Sequence, residues 1–181
     1  MRRKPLTYMA LTVLLGAAAA AASEDHVAAA AAADPRLEFL RGLAGTWVGK
    51  SGPEATSESL YEFRVTAGGH AVLEREMIGT PMEMLTVYHM DGADLVATHY
   101  CVLGNQPRLT AARRIVDDTL AFSCTGKPGN ARSHDEEHVH GWSMRLDGDG
   151  RLQYSAELVE SGKVSQAPSL VLTRKHPTGS R

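Results

Sequence analysis

"HVHGWSMRL", residues 138–146, decides how this chain is read. Its even positions carry His138, His140, Trp142, Met144 and Leu146, and its odd ones Val139, Gly141, Ser143 and Arg145. A period of two marks a strand with one buried face, because successive side chains leave opposite sides of the pleat. The following segment repeats the pattern, with Leu152, Tyr154, Ala156 and Leu158 alternating with Arg151, Gln153, Ser155 and Glu157. If the apolar face is the interior, His138 and His140 point inward with Trp142.

Upstream, the chain divides into similar short runs separated by Gly, Pro, Asp and Asn. Strands are expected near 46–50, 58–66, 70–77, 82–90, 93–102, 108–116, 118–124, 136–146, 151–160 and 169–175, spacing that belongs to an all-β fold. The expected fold is therefore an antiparallel up-and-down barrel of about ten strands. One short helix precedes it: in "DPRLEFLRGLAG" Asp34 is placed to cap, Pro35 takes the first helical position and Leu37 and Leu40 share a side. Asp91-Gly92 is a two-residue hairpin signal. It pairs Met90 with Ala93, Met84 with His99 and Met82 with Cys101, and turns His99 and Cys101 inward. In a meander of this kind the loops near 51–57, 78–81, 103–107, 125–135 and 161–167 all leave at one end, with His99, Cys101, Cys124, His138 and His140 just beneath it.

The chain begins "MRRKPLTYMALTVLLGAAAAAAS", a basic start followed by an apolar run and small residues, the pattern of a secretory signal over 1–22. Half of the run is weakly apolar alanine, so no stable membrane span is expected after cleavage. Residues 23–34 read as an Ala-rich linker, 35–175 as one barrel domain and 176–181 as a tail, with the protein periplasmic or secreted. Cleavage removes three of the 19 basic residues and none of the 21 acidic ones, leaving a net charge of −5, which argues against nucleic acid as a partner. Export permits a disulfide, but a strand separates Cys101 from Cys124, which sets them roughly 10 Å apart against the roughly 7 Å a bridge allows. Free thiols are expected.

Four donors, His99, Cys101, His138 and His140, share one end of the expected lumen, with Met82, Met84 and Met144 near them. Imidazole with thiolate or thioether suits copper, zinc or haem iron, so His99, His138 and His140 form a candidate metal set. Two whole strands separate His99 from His138, roughly 14 Å along a flat sheet, and only curvature brings them together. The plain structural reading makes these histidines polar groups of a solvated mouth, with Glu160 beside His138. For "GNQPR", 104–108, the plain reading is a tight loop. The functional one has Asn105, Gln106 and Arg108 reaching over the mouth to hold a carboxylate or polar head. Glu74 and Arg75 sit in a strand whose parity the sequence leaves open.

"LAGTWVGK", 43–50, resembles the Gly-x-Trp entrance of lipocalin and fatty-acid-binding (calycin-like) barrels and of the haem-binding nitrobindin-like barrels, which implies that Trp47 packs at a closed end. "YEFRVTAGGHAVLERE" (61–76), "GTPMEMLTVYHMDGADLVATHYCVLGNQPRL" (79–109), "HVHGW" (138–142) and "LVLTRK" (170–175) resemble a family of bacterial, often exported, lipocalin-like proteins of unknown function. The likeness spans about 35–175 and implies a fold more than an activity. It departs at Met82, where the family tends to have histidine, and at His138-Val139-His140, where it tends to have His-Met-His. No "HxxxR"-like context carries over the proximal histidine of nitrobindin-like barrels, which leaves only His138 or His140 for that role.

Three functions stay open. The first is an exported barrel binding a small apolar or amphipathic molecule in a lumen lined by Tyr61, Phe63, Leu120, Phe122, Trp142, Met144, Tyr154 and Leu158. In that case His99, Cys101, Arg108, Asn105, Gln106, Met84, Trp142, Tyr154 and Phe122 contact the ligand and no cofactor is needed. The second is a metal- or haem-binding barrel, enzymatic or not, using the histidines. The third is a structural domain without ligand. No Ser-His-Asp order, phosphate-binding loop or paired-carboxylate spacing is present, and His99 and Cys101, two apart on a strand, point the same way rather than at each other, so catalysis is the lesser expectation.

Overall fold

The computed structural model describes residues 34–51 and 58–175. The signal peptide, nearly all of the linker and the C-terminal tail expected from the sequence lie outside the described residues. A short helix, α1 (Pro35–Gly42), precedes β1 (Gly45–Ser51), β2 (Ser59–Thr66), β3 (Ala71–Glu76), β4 (Met84–Asp91), β5 (Asp94–Tyr100), β6 (Arg108–Ala111), β7 (Thr119–Cys124), β8 (His138–Leu146), β9 (Leu152–Glu160), β10 (Lys163–Gln166) and β11 (Leu170–Arg174). Every pairing is antiparallel. The sheet runs β10-β9-β11-β1-β2-β3-β4-β5-β6-β7-β8, and β8 pairs again with β9. That last pairing closes a ten-stranded antiparallel barrel, as expected, with β10 as an additional strand on the far edge of β9.

β9 holds three partners because it spends its length unequally. One edge pairs with β8 from His138↔Val159 to Leu146↔Leu152. The other edge pairs with β11 through Leu152, Gln153 and Tyr154, and with β10 through Glu157 to Glu160. Residues 161–167, expected as a loop, contain β10. The strand there is missed because Lys163–Gln166 is exposed at every residue and so has no apolar alternation. Its turn is nonetheless legible: Ser161 (φ 52) and Gly162 (φ 72) both take the left-handed conformation that a tight two-residue hairpin requires.

The β4–β5 hairpin corrects the expected register. The loop is Gly92-Ala93, with Gly92 at φ 60, so Asp91 stands opposite Asp94, Tyr88 opposite Ala97 and Thr86 opposite His99. A shift of two residues leaves every side chain on its face. His99 is accordingly buried, with Ala97, Tyr88 and Thr86.

At the end bearing α1, Asp34 caps the helix through its side chain, accepting from Arg36 N at 2.9 Å. Trp47 is fully buried, donates to Leu43 O at 2.8 Å and lies 4.3 Å under the Arg174 guanidinium. The interior beyond it is filled by side chains. Tyr88, Phe122 and Trp142 pack with ring centroids 5.3–6.1 Å apart, among Phe63, Leu109, Leu120, Met144, Leu152 and Leu172. Leu158, expected in the lining, is only half-buried, and its neighbour Val159 is the buried residue. Cys101 and Cys124 are free thiols. Among the described residues no helix is long and apolar enough to cross a membrane.

Candidate metal centre and interior polar cluster

The regular alternation of β8 ends at a bulge. Gly141 faces Glu157 and Val139 faces Leu158, which leaves His140 as the extra residue. Gly141 makes the close approach possible: a Cβ there would stand 2.8 Å from the Phe122 carbonyl oxygen. Val159, not the expected Glu160, stands opposite His138.

The preceding loop folds back onto this irregular end and brings in His134, a residue absent from the set expected from sequence. Its ring meets His138 at 5.0 Å and His140 at 5.2 Å between centroids, and His138 meets His140 at 5.7 Å, all edge to face. One nitrogen from each ring lies within 4.8 Å of the other two. The spacing H-x3-H-x-H in "HDEEHVH" was visible, but it signals a cluster only once a loop is known to close onto a strand.

Backbone contacts hold this loop. Gln106 and Gly129 exchange both N–H···O bonds at 2.8 Å, Asn105 Nδ2 donates to Glu137 O at 2.7 Å, and Gly162 N donates to Asp135 O at 3.2 Å. Asn105 and Gln106 thus tie the 101–107 loop to the loop that carries His134. Arg108 does not reach over the mouth. Its guanidinium lies exposed against Asp91 at 2.5 Å.

The tautomer of His138 follows from its partner. Nδ1 lies 2.7 Å from Glu136 O, and a carbonyl only accepts, so Nδ1 carries a proton, and in the neutral ring the lone pair falls to Nε2. His138 is 1 % exposed, and neither its Nε2 nor His140 Nδ1 has a hydrogen-bond partner. Burial, and then the charges that His134 and His138 carry when protonated, hold His140 below the ordinary imidazole range. A carbonyl fixing one ring nitrogen while the other stays bare is the arrangement that supports metal-ligating histidines.

His99, expected to share this set, stands apart. It belongs to a second polar group inside the barrel with Glu74, Glu76, Thr86, Tyr88 and Cys101. Thr86 Oγ1 donates to Glu76 Oε1 at 3.2 Å and so accepts from His99 Nδ1 at 2.8 Å, and that nitrogen lies 3.4 Å from Glu76 Oε1. Burial lowers the His99 pKa, but the Cys101 thiol beside the ring and the Glu76 carboxylate outweigh it and push it up to about 10. The parity of β3 is settled here: Glu74 is fully buried, and Arg75 faces outward to Glu83 at 2.6 Å and Glu62 at 3.4 Å. Tyr88 Oη donates to Glu74, whose second oxygen has no partner. Burial, then the charge of Glu76, raises the Glu74 pKa well above the carboxylate range. Met84 and Cys101 sit at the rim, Sγ to Sδ 4.0 Å. Phe122, Trp142 and Tyr154 lie in the packed core.

Fold and site together define a closed ten-stranded antiparallel barrel with a histidine cluster where β8 meets the loop before it. No protein-family model matches the chain, and no curated protein matches it.

Proposed function

We propose that the protein is an exported lipocalin-like barrel that holds a divalent transition-metal ion of the zinc class through His134, His138 and His140. The observation that carries the reading is the buried, unpartnered Nε2 of His138 beside two further imidazoles, with its Nδ1 already bound to a backbone carbonyl. Three nitrogens at about 2.0–2.1 Å from Zn²⁺ stand roughly 3.4 Å apart in a tetrahedral set, within reach of small rotations of these rings. Three protein ligands leave the fourth position to water or a bound molecule, the pattern of zinc sites that do chemistry rather than hold structure.

A small apolar or amphipathic partner is the second reading. It is favoured by a cavity of about 150 Å³ lined by Leu103, Glu137, His138, Leu158, Val159 and Glu160. That volume takes a group about the size of benzene, next to the proposed centre rather than in the filled lumen.

Equilibrium dialysis of chelator-stripped protein against Zn²⁺ tests the first reading: one equivalent is retained by the wild type and lost in His138→Ala. Co²⁺ substitution gives the intense visible spectrum of a four-coordinate site. Absence of retained metal, or retention undiminished in His138→Ala, overturns it. Native mass spectra of gently purified protein with no added mass remove the second reading.

A further inference from the structure

We propose that Met84, Cys101 and His99 form a second metal site, for a soft monovalent ion of the Cu(I) class, independent of the histidine cluster. Strand geometry brings the three together. His99 and Cys101 are two apart along one line, so both side chains leave the same face of the sheet. The pairing of Thr86 with His99, carried two residues on, sets Met84 across from Cys101. Side chains that leave one face side by side are well placed to share an ion.

The distances fit. Cys101 Sγ and Met84 Sδ are 4.0 Å apart. Two sulfurs at about 2.3 Å from a shared ion in a trigonal arrangement stand about 4.0 Å apart as well. The third donor is supplied from inside: His99 is 2 % exposed, its Nδ1 is committed to Thr86 and Glu76, and its Nε2 has no partner. The Thr86–Glu76 relay fixes the ring from behind, as outer partners do for ligating histidines. Thiolate, thioether and imidazole make a soft set that selects Cu(I), whereas the all-nitrogen cluster suits a borderline divalent ion. Cys101 is half-buried at the rim, which gives an ion a way in. On uptake the Cys101 thiol releases its proton as the Cu–S bond forms, and the imidazole releases one where it is charged. No electron is exchanged.

The test is an anaerobic titration of the reduced full chain with Cu(I) held by bicinchoninate, in four forms: wild type, Cys101→Ser, Met84→Leu, and the triple variant His134→Ala/His138→Ala/His140→Ala. Wild type and triple variant each withdraw one equivalent from the chelator. Cys101→Ser weakens uptake by roughly 100-fold or more and Met84→Leu by roughly 10-fold, as loss of a thiolate and of a thioether ligand should. X-ray absorption at the copper edge of the loaded wild type shows two sulfur scatterers and one light atom. Both single substitutions conserve shape, and thermal melts check folding; should Cys101→Ser fail to fold, Met84→Leu with the absorption spectrum decides. Copper left with the chelator, uptake unchanged in the folded single variants, or uptake lost in the triple variant overturns the proposal. The Zn²⁺ dialysis reads the other centre, so either site can fail alone.

Discussion

Glu74 is the residue whose chemistry is most exposed to test. It is fully buried with one oxygen unpartnered, and its folded-state pKa is raised. Its protonated form is therefore the one the fold favours. The stabilisation from that form is complete below the unfolded value near 4.5 and is lost as pH rises toward the folded pKa. Glu74→Gln keeps an acceptor for Tyr88 Oη and removes the charge. Thermal melts across pH should show little difference from wild type at pH 4 and a higher Tm for the variant at pH 8, by a few degrees at about 2–4 °C per kcal/mol. Equal pH profiles would contradict this account of the buried acid. Thiol labelling gives a second check: native protein should modify at half-buried Cys101 well before buried Cys124, and denatured protein should yield two free thiols.

Elements meet where single positions admit them. Gly49 in β1 has room for no side chain, because a Cβ there would fall 2.3 Å from Val171 O and 2.7 Å from Leu172 Cδ2. Gly49→Ala should push β1 from β11 along their ladder and cost roughly 2 kcal/mol or more, read as a fall in the urea midpoint. In α1, Arg36 is 4 % exposed. It binds Asp34 at 2.6 Å and donates to Ala93 O at 2.8 Å and Ala112 O at 3.3 Å. One side chain thereby fastens the helix to the β4–β5 turn and to the chain beyond β6. Arg36→Ala strands an acid and two carbonyls, and a loss of about 1–3 kcal/mol is expected in the same measurement. The β9–β10 turn shows how an element escapes a reading based on apolar pattern: Ser161-Gly162 signalled the hairpin, but four exposed residues gave no face to count.

In the whole molecule, closure through β8–β9 and β9–β11 puts one continuous core inside one sheet. Unfolding should be cooperative, with tryptophan fluorescence and far-UV ellipticity of the barrel tracing the same transition, since Trp47 and Trp142 both belong to that core. Closure also separates the functional candidates. His99 and Cys101 end on the β4–β5 ladder beside Glu76 and Met84, while His138 and His140 meet His134 at the end of β8.

Period-two patterning, turn residues and the Asp34-Pro35 start were enough for the fold class, the helix and most strand positions, because a strand with one buried face writes that face into every second residue. The same pattern put His99, Phe122, Trp142 and Met144 inside, and it survived a wrong register because a slip of two preserves the face. The site was legible only in pieces. His134 joins the cluster through a loop closure, His140 holds its place through a bulge, and Glu74 and Glu76 line the interior because β3 pairs as it does with β2 and β4. Which of several histidines touch one another is set by contacts between distant segments and by a break in the periodicity. A local pattern carries no record of either.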